Sequence, residues 1–323
     1  GAKLTQQIDR LLQKSELLIE DFYINKIETL PIKDIQLINN YNNTSVNDLL
    51  VNSQTRLEAL FSNTVNIFPD NIALIDQDLS FTYKQLDFYS SNIAAFLHKF
   101  TISGNGEIIG IYLEKSWQQI IAVLGILKAG CTFVPLSIED PIHRIGQIIN
   151  EVKLSIILTT AKYENDIRKK TNATPYNITD LINNTTGINL PTIYNNSLPA
   201  YIIFTSGSTG VPKGIKILHQ SVINTILDIN YKFRVTSEDK ILGISRISFD
   251  LAIYDIFGAF ATGCTLVLVA QQDLRDPDKW LNLILNYKIS EKDPAQAAAG
   301  ENFRAQLLQR RLSCKAVKKP ALQ

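Results

Sequence analysis

The stretch from Ile108 to Val134 confines this chain to an α/β architecture. Ile108 to Leu113 is a short apolar run rich in β-branched residues, as expected of a strand buried on both faces. Trp117, Ile120, Ile121, Leu124 and Leu127 then recur at helical spacing, Gly130 stops the helix, and Thr132 to Val134 resumes as strand. Strand, helix and strand in that order make a βαβ unit, which implies parallel strands and a right-handed crossover. Ile156 to Thr160, Ala200 to Phe204 and Leu266 to Val269 read as further short strands. Periodicity alone therefore reaches a doubly wound sheet and stops there.

The densest chemical signal is the run Phe204, Thr205, Ser206, Gly207, Ser208, Thr209, Gly210, Val211, Pro212, Lys213, Gly214. Its three glycines permit positive backbone angles and a close approach that turns amide N–H groups toward one anion. Thr205, Ser206, Ser208 and Thr209 add hydroxyl donors, and Pro212 stiffens the turn that presents the compact charge of Lys213. The chemistry implied is the binding of a polyphosphate. A flexible glycine-serine linker would need neither the preceding strand nor the Pro-Lys-Gly ending. A kinase or GTPase loop would end in Gly-Lys-Ser/Thr and run into a helix, whereas Ile215 to Leu218 continues as strand.

These residues resemble the phosphate loop of the adenylate-forming enzymes, and within them the adenylation domains of nonribosomal peptide synthetases. Phe68 to Leu86, with Pro69, Ala73 and Phe81-Thr82-Tyr83-Lys84-Gln85-Leu86, resembles the first core motif of that family. Leu127 to Pro135, continuing to Asp140, Pro141 and Arg144, resembles the second, and Phe249-Asp250-Leu251-Ala252 resembles the motif that opens the amino-acid pocket. The resemblance implies the large N-terminal subdomain of the adenylate-forming fold, helix-covered mixed sheets plus a small barrel, in truncated form. It also implies ATP and Mg²⁺ as cofactors, with Thr205, Ser206, Gly207, Ser208, Thr209, Gly210 and Lys213 on the phosphates. The reaction implied has two steps: an amino-acid carboxylate displaces pyrophosphate from ATP, then a phosphopantetheine thiol on a carrier protein takes the acyl group as a thioester.

By the same resemblance, Phe249, Asp250, Leu251 and Tyr254 bind the substrate, with Asp250 pairing its α-ammonium. A buried ammonium is costly unless paired, so one fixed carboxylate selects amino acids over simple acyl or aryl acids. Asp250 is also a natural N-cap for the helical run after it, and Leu251 and Tyr254 suit ordinary apolar packing. The order Asp, Leu, Tyr resembles cysteine-activating domains, which makes cysteine the first expectation for the substrate. Carrier, condensation or cyclisation domains and an MbtH-like helper are the partners implied.

Residues 1–55 read as an inter-domain linker, with a helical pattern through Leu11, Leu12, Leu17, Leu18 and Phe22 and an Asn-rich break at Asn39 to Asn43. Residues 56–290 are the adenylation-like part. From Glu291 the sequence turns Ala-, Gln- and Arg-rich and no longer resembles the family, so 291–323 is an unassigned tail. The later family motifs, including the catalytic lysine, have no counterpart in these residues, and the expectation is that this chain alone is inactive. Two other readings stay open: a non-catalytic scaffold, and an acyl-CoA or aryl-acid ligase, which Asp250 argues against.

Composition selects no partner. Of 323 residues, 45% are hydrophobic and 20% charged, enough for a sizeable core, and the formal charge of +1 argues for neither nucleic acid nor membrane. No run approaches a membrane span and no secretory pattern opens the chain, so the cytoplasm is the expected location. Cys131, Cys264 and Cys314 lack metal-binding spacing, packing suits Cys131 and Cys264, and three scattered histidines make no zinc cage. His219 is expected to be a hydrogen-bonded structural residue, Arg144 a helix-start or surface pair, and Asp255 a solvated or helix-pairing carboxylate.

Overall fold

The computed structural model describes residues 33–37, 55–100, 106–183, 197–206 and 212–290. The chain divides into two compact units, Gly1–Leu50 and Val51–Gln323. Residues 33–37 of the first are helical. The second unit holds two sheets.

Its elements run α1 (Leu57–Ile67), β1 (Ile72–Asp76), β2 (Leu79–Thr82), α2 (Tyr83–Leu97), β3 (Ile108–Tyr112), α3 (Trp117–Lys128), β4 (Thr132–Pro135), α4 (Ile142–Glu151) and β5 (Ile156–Thr159). They continue α5 (Ala161–Lys170), β6 (Thr174–Asn177), α6 (Ile178–Ile182), β7 (Pro199–Ser206), β8 (Pro212–Leu218), α7 (His219–Phe233), β9 (Lys240–Gly243), α8 (Leu251–Thr262), β10 (Thr265–Leu268) and α9 (Pro277–Tyr287). One sheet has the order β6-β5-β3-β4-β7-β8, the other β2-β1-β10-β9. All neighbours are parallel except the hairpins β1–β2 and β7–β8. The two sheets are thus mixed, as the adenylate-forming resemblance implied and periodicity alone did not.

The βαβ unit is where the sequence placed it. Ile108 pairs with Thr132 and Ile111 with Pro135 in parallel register, and α3 crosses between them. Gly130 ends the helix at φ +76°, so that its own N–H reaches Leu127 O at 2.9 Å and the Cys131 N–H reaches Ile126 O at 3.1 Å. Those bonds satisfy carbonyls the last helical turn would leave open, in a backbone region that glycine enters without strain. Thr82 opens α2 through a capping box. Its side chain accepts from the Gln85 N–H while Gln85 accepts from the Thr82 N–H.

Helices α2 and α3 approach closely because Gly125 carries no side chain. A Cβ there would stand 2.7 Å from Ile93 Cβ and 2.9 Å from Ser90 O. Below that contact, Lys128 runs back over Phe61 and binds Asp87 Oδ1 at 2.7 Å and Ser90 Oγ at 2.8 Å. The main core lies between α1, α2, α3 and α8, where Phe61, Tyr83 and Phe260 are fully buried and mutually in ring contact. Cys131 and Cys264 are buried free thiols, as packing required; Cys314 lies outside the described residues.

Candidate active site

In sheets built of parallel strands, side chains for chemistry gather beyond the carboxyl ends of the strands. Here the loops after β3, β4, β9 and β10 meet in one cleft lined by Lys115, Gln119, Ser137, Arg246, Ser248 and Gln271, among others. Glu139 ties the rim together. It accepts from Gln271 Nε2 at 3.0 Å and pairs with Arg246 at 2.9 Å and Arg275 at 3.4 Å, linking the loop after β4 to the loops after β9 and β10. None of these residues stood out in the sequence; the available signal was their position just past strand ends.

The phosphate-loop residues sit on a hairpin. Strand β7 pairs antiparallel with β8 up to Thr205 opposite Lys213 and Ser206 opposite Pro212. Thr205 and Lys213 are exposed at that end of the ladder. Gly207, Ser208, Thr209 and Gly210 lie outside the described residues, between the two paired strands. Pro212 is the first residue of the edge strand β8, a position that tolerates its missing N–H. Gly214 corrects the expectation that it supplies a positive backbone angle. It lies within β8 opposite Phe204, outside the left-handed region, and its lack of a side chain serves packing: a Cβ would come within 3.0 Å of the Phe204 ring.

Asp250 stands at the start of α8, where its Oδ1 accepts the Leu251 N–H at 2.9 Å, so the capping role exists. It is nevertheless exposed, as are its neighbours Phe249 (58%) and Leu251 (63%), which excludes a core role for either apolar side chain. Tyr201, buried on β7, has its phenol raised first by burial and then by the negative charge of Asp250. Tyr254 differs from its exposed neighbours: it is buried between α7 and α8, its hydroxyl donating to Asn230 Oδ1 at 2.7 Å and its ring lying over Gly258.

The remaining candidates separate cleanly. His219 is buried, and its Nδ1 accepts the Leu57 N–H at 3.0 Å; burial and the nearby Arg56 lower its pKa to about 3, so it is a neutral structural residue. Arg144 pairs with Asp140 at 3.1 Å at the start of α4. Asp255 overturns the solvated reading. It is only 3% exposed, and its Oδ2 accepts the Ser245 N–H at 3.1 Å, because α8 turns this face toward the other sheet's loops. Burial lifts it to about 6, with the Lys115 charge opposing. Among the described residues no three His, Cys, Asp or Glu side chains converge as a metal site, and no helix is long and apolar enough to cross a membrane.

Comparison with known proteins agrees with this geometry. Residues 61–290 match the family described as AMP-binding enzyme. Bacitracin synthase 1 from Bacillus licheniformis is 35% identical over 240 residues, which cover 74% of this chain and 4% of that protein. The first curated relatives are spanned over only 4% to 22% of their length. Among solved structures, the α-methyl-L-serine-AMP-bound form of the nonribosomal peptide synthetase FmoA3 superposes with a TM-score of 0.68 at 27% identity, covering 73% of this chain and 26% of that one. The N-terminal subdomain of NpsA from Klebsiella oxytoca superposes with a TM-score of 0.65 at 26% identity, over 74% of this chain and 61% of that one. With the hairpin, the mixed sheets and the matched residues in agreement, the chain belongs to the AMP-binding enzyme family, with its relatives among nonribosomal peptide synthetase adenylation domains.

Proposed function

We propose that this chain supplies the phosphate-binding and α-amino-binding portions of an amino-acid adenylation site. The observation that carries the reading is the open end of the β7–β8 hairpin, where Thr205 and Lys213 stand opposite each other and are both exposed. Asp250, exposed at the start of α8, supplies the carboxylate for the ammonium, and the hairpin supplies the lysine-bearing loop for the triphosphate. Thr205, Ser206, Gly207, Ser208, Thr209, Gly210 and Lys213 orient the phosphates of ATP, so that pyrophosphate leaves in line as the substrate carboxylate attacks. Mg²⁺ arrives with the nucleotide, held largely by phosphate oxygens, as this ion usually is. Phe249 and Leu251, both exposed, flank the substrate, and Tyr254 supports the helix beneath.

Cysteine is the first substrate to test, on the trio Asp250, Leu251 and Tyr254. The acyl acceptor is a phosphopantetheine thiol on a carrier domain of an assembly line that also holds condensation or cyclisation domains, in the cytoplasm, with an MbtH-like helper as a further partner. The 323 residues do not complete the site, and the purified chain is expected to give no amino-acid-dependent exchange of labelled pyrophosphate into ATP. Exchange above background would show that the groups present suffice.

Ligand discrimination tests the pocket. Titration calorimetry with MgATP present should show an amino acid binding more tightly than its deaminated analogue. Asp250→Asn should weaken the amino acid by roughly tenfold or more, the loss of one charge-assisted pairing, and leave the analogue unchanged. Equal binding of the two ligands by the unmodified chain would favour the acyl- or aryl-acid reading instead.

A further inference from the structure

The segment Ile244–Phe249 joins β9 to α8 and carries no strand or helix of its own, yet it sets where Asp250 stands. Both backbone groups of its second residue are gripped. Lys115, from the loop after β3 in the six-stranded sheet, donates from Nζ to the Ser245 carbonyl, and Asp255, on α8, accepts the Ser245 N–H at 3.1 Å. The grip is itself anchored, since the Lys115 N–H donates to Gln271 Oε1 at 3.1 Å. Lys115 is 9% exposed and Asp255 3%, and both line a small enclosed cavity with Gln119, Gly243, Ser245 and Ile247.

Two buried charges are a costly way to fill space, and apolar residues of similar volume would pack there at less cost. What the charges add is direction: a cation fits only the carbonyl and an anion only the amide, so Ser245 has one placement. Two elements, the loop after β3 and α8, converge on that peptide, five residues before Asp250. Burial pulls Lys115 down to about 8 and pushes Asp255 up to about 6, each opposed by the other's charge, so both are charged near neutral pH.

We propose that Lys115 and Asp255 are positioning residues that clamp Ser245 and thereby fix Asp250 for the α-ammonium of the substrate. This rests on the amino-acid reading of Asp250 above. The test uses the full 323-residue chain. Lys115→Met and Asp255→Leu each remove one jaw, and amide exchange at Ser245 and Leu251 is expected to quicken roughly five- to tenfold, the loss of about one hydrogen bond's protection. Amides of Phe257 to Phe260 in the buried body of α8 should not change. Asp255→Asn keeps an oxygen acceptor and is expected to restore most of the protection; if Lys115→Met fails to fold, unaltered Ser245 and Leu251 amides in Asp255→Leu would overturn the clamp.

The second readout is selectivity. In Asp255→Leu the preference for an amino acid over its deaminated analogue should fall severalfold while affinity for MgATP stays unchanged, which a general loss of packing would not produce. Unaltered Ser245 and Leu251 amides in folded Lys115→Met would overturn the clamp. If the unmodified chain shows no preference for the ammonium, the reading of Asp250 fails instead, and the amides alone still judge the grip on Ser245.

Discussion

Arg56→Ala is expected to destabilise the chain by about 3–5 kcal/mol at pH 7, the usual effect of removing one partner from a buried ion pair. Arg56 Nε lies 2.6 Å from Glu58 Oε1, with the two side chains 7% and 10% exposed. His219 Nδ1 is 3.8 Å from the other carboxylate oxygen. Burial already raises the Glu58 carboxyl, and Arg56 is the largest influence holding it down. Without the guanidinium, Glu58 rises further above its unfolded value near 4.5.

A carboxyl raised in the fold contributes stability below its unfolded pKa and loses it as pH climbs through the folded one. The deficit of Arg56→Ala should therefore be largest at pH 7 and shrink as pH falls toward about 5. His219 pushes the same way: Arg56 helps keep it neutral, so removing Arg56 lets it take up a proton beside Glu58 more readily. Urea unfolding midpoints of both chains across that pH range check the sign. A deficit that is constant, or that grows on acidification, would remove Glu58 from the explanation.

Tyr83→Ala is the other large effect expected, again about 3–5 kcal/mol. Tyr83 is fully buried, 5.8 Å from both the Phe61 and Phe260 ring centroids, and its hydroxyl donates to Cys264 O at 2.7 Å. Truncation leaves a cavity between α1, α2 and α8 and orphans a carbonyl at the entry to β10. Tyr83→Phe separates the two contributions. It keeps the ring and loses only the bond, so it should cost about 1–3 kcal/mol by denaturant unfolding. Equal losses in the two variants would mean that the bond, not the packing, dominates this junction.

Much of this was legible from residue order, for reasons that can be stated. The βαβ unit showed because a short β-branched run and apolar residues at helical spacing carry different periods, and Gly130 marked the join. Tyr83 and Thr82 fell in a recognisable motif, but their roles, a ring in the core and a capping box, are local consequences that composition cannot separate from chemistry. The Thr205 to Gly214 run announced phosphate because glycines, hydroxyls and a lysine are rarely combined so densely after a strand. Gly214 was misjudged within it, since a glycine that frees a backbone angle and one that makes room for Phe204 look alike in sequence.

Lys115, Asp255 and Glu139 were the harder cases. Each works through groups that are remote in the chain, Lys115 with Ser245 across 130 positions and Glu139 with Arg275 across 136. Asp255 in particular reads as a helix-surface carboxylate until the second sheet's loops are seen to cover it. The division of the strands into two sheets was invisible to periodicity and came only through the family resemblance, because β1 pairs with β10 across most of the domain.

Hydrogen exchange of the intact chain with and without MgATP tests the phosphate assignment most directly. Protection is expected in peptides spanning Thr205 to Gly214, and in Lys213→Ala that protection should be lost at the same nucleotide concentration while the fold is kept. Nucleotide protection that leaves the Thr205 to Gly214 hairpin untouched, or that survives unchanged in Lys213→Ala, would contradict the hairpin's role as the phosphate cradle.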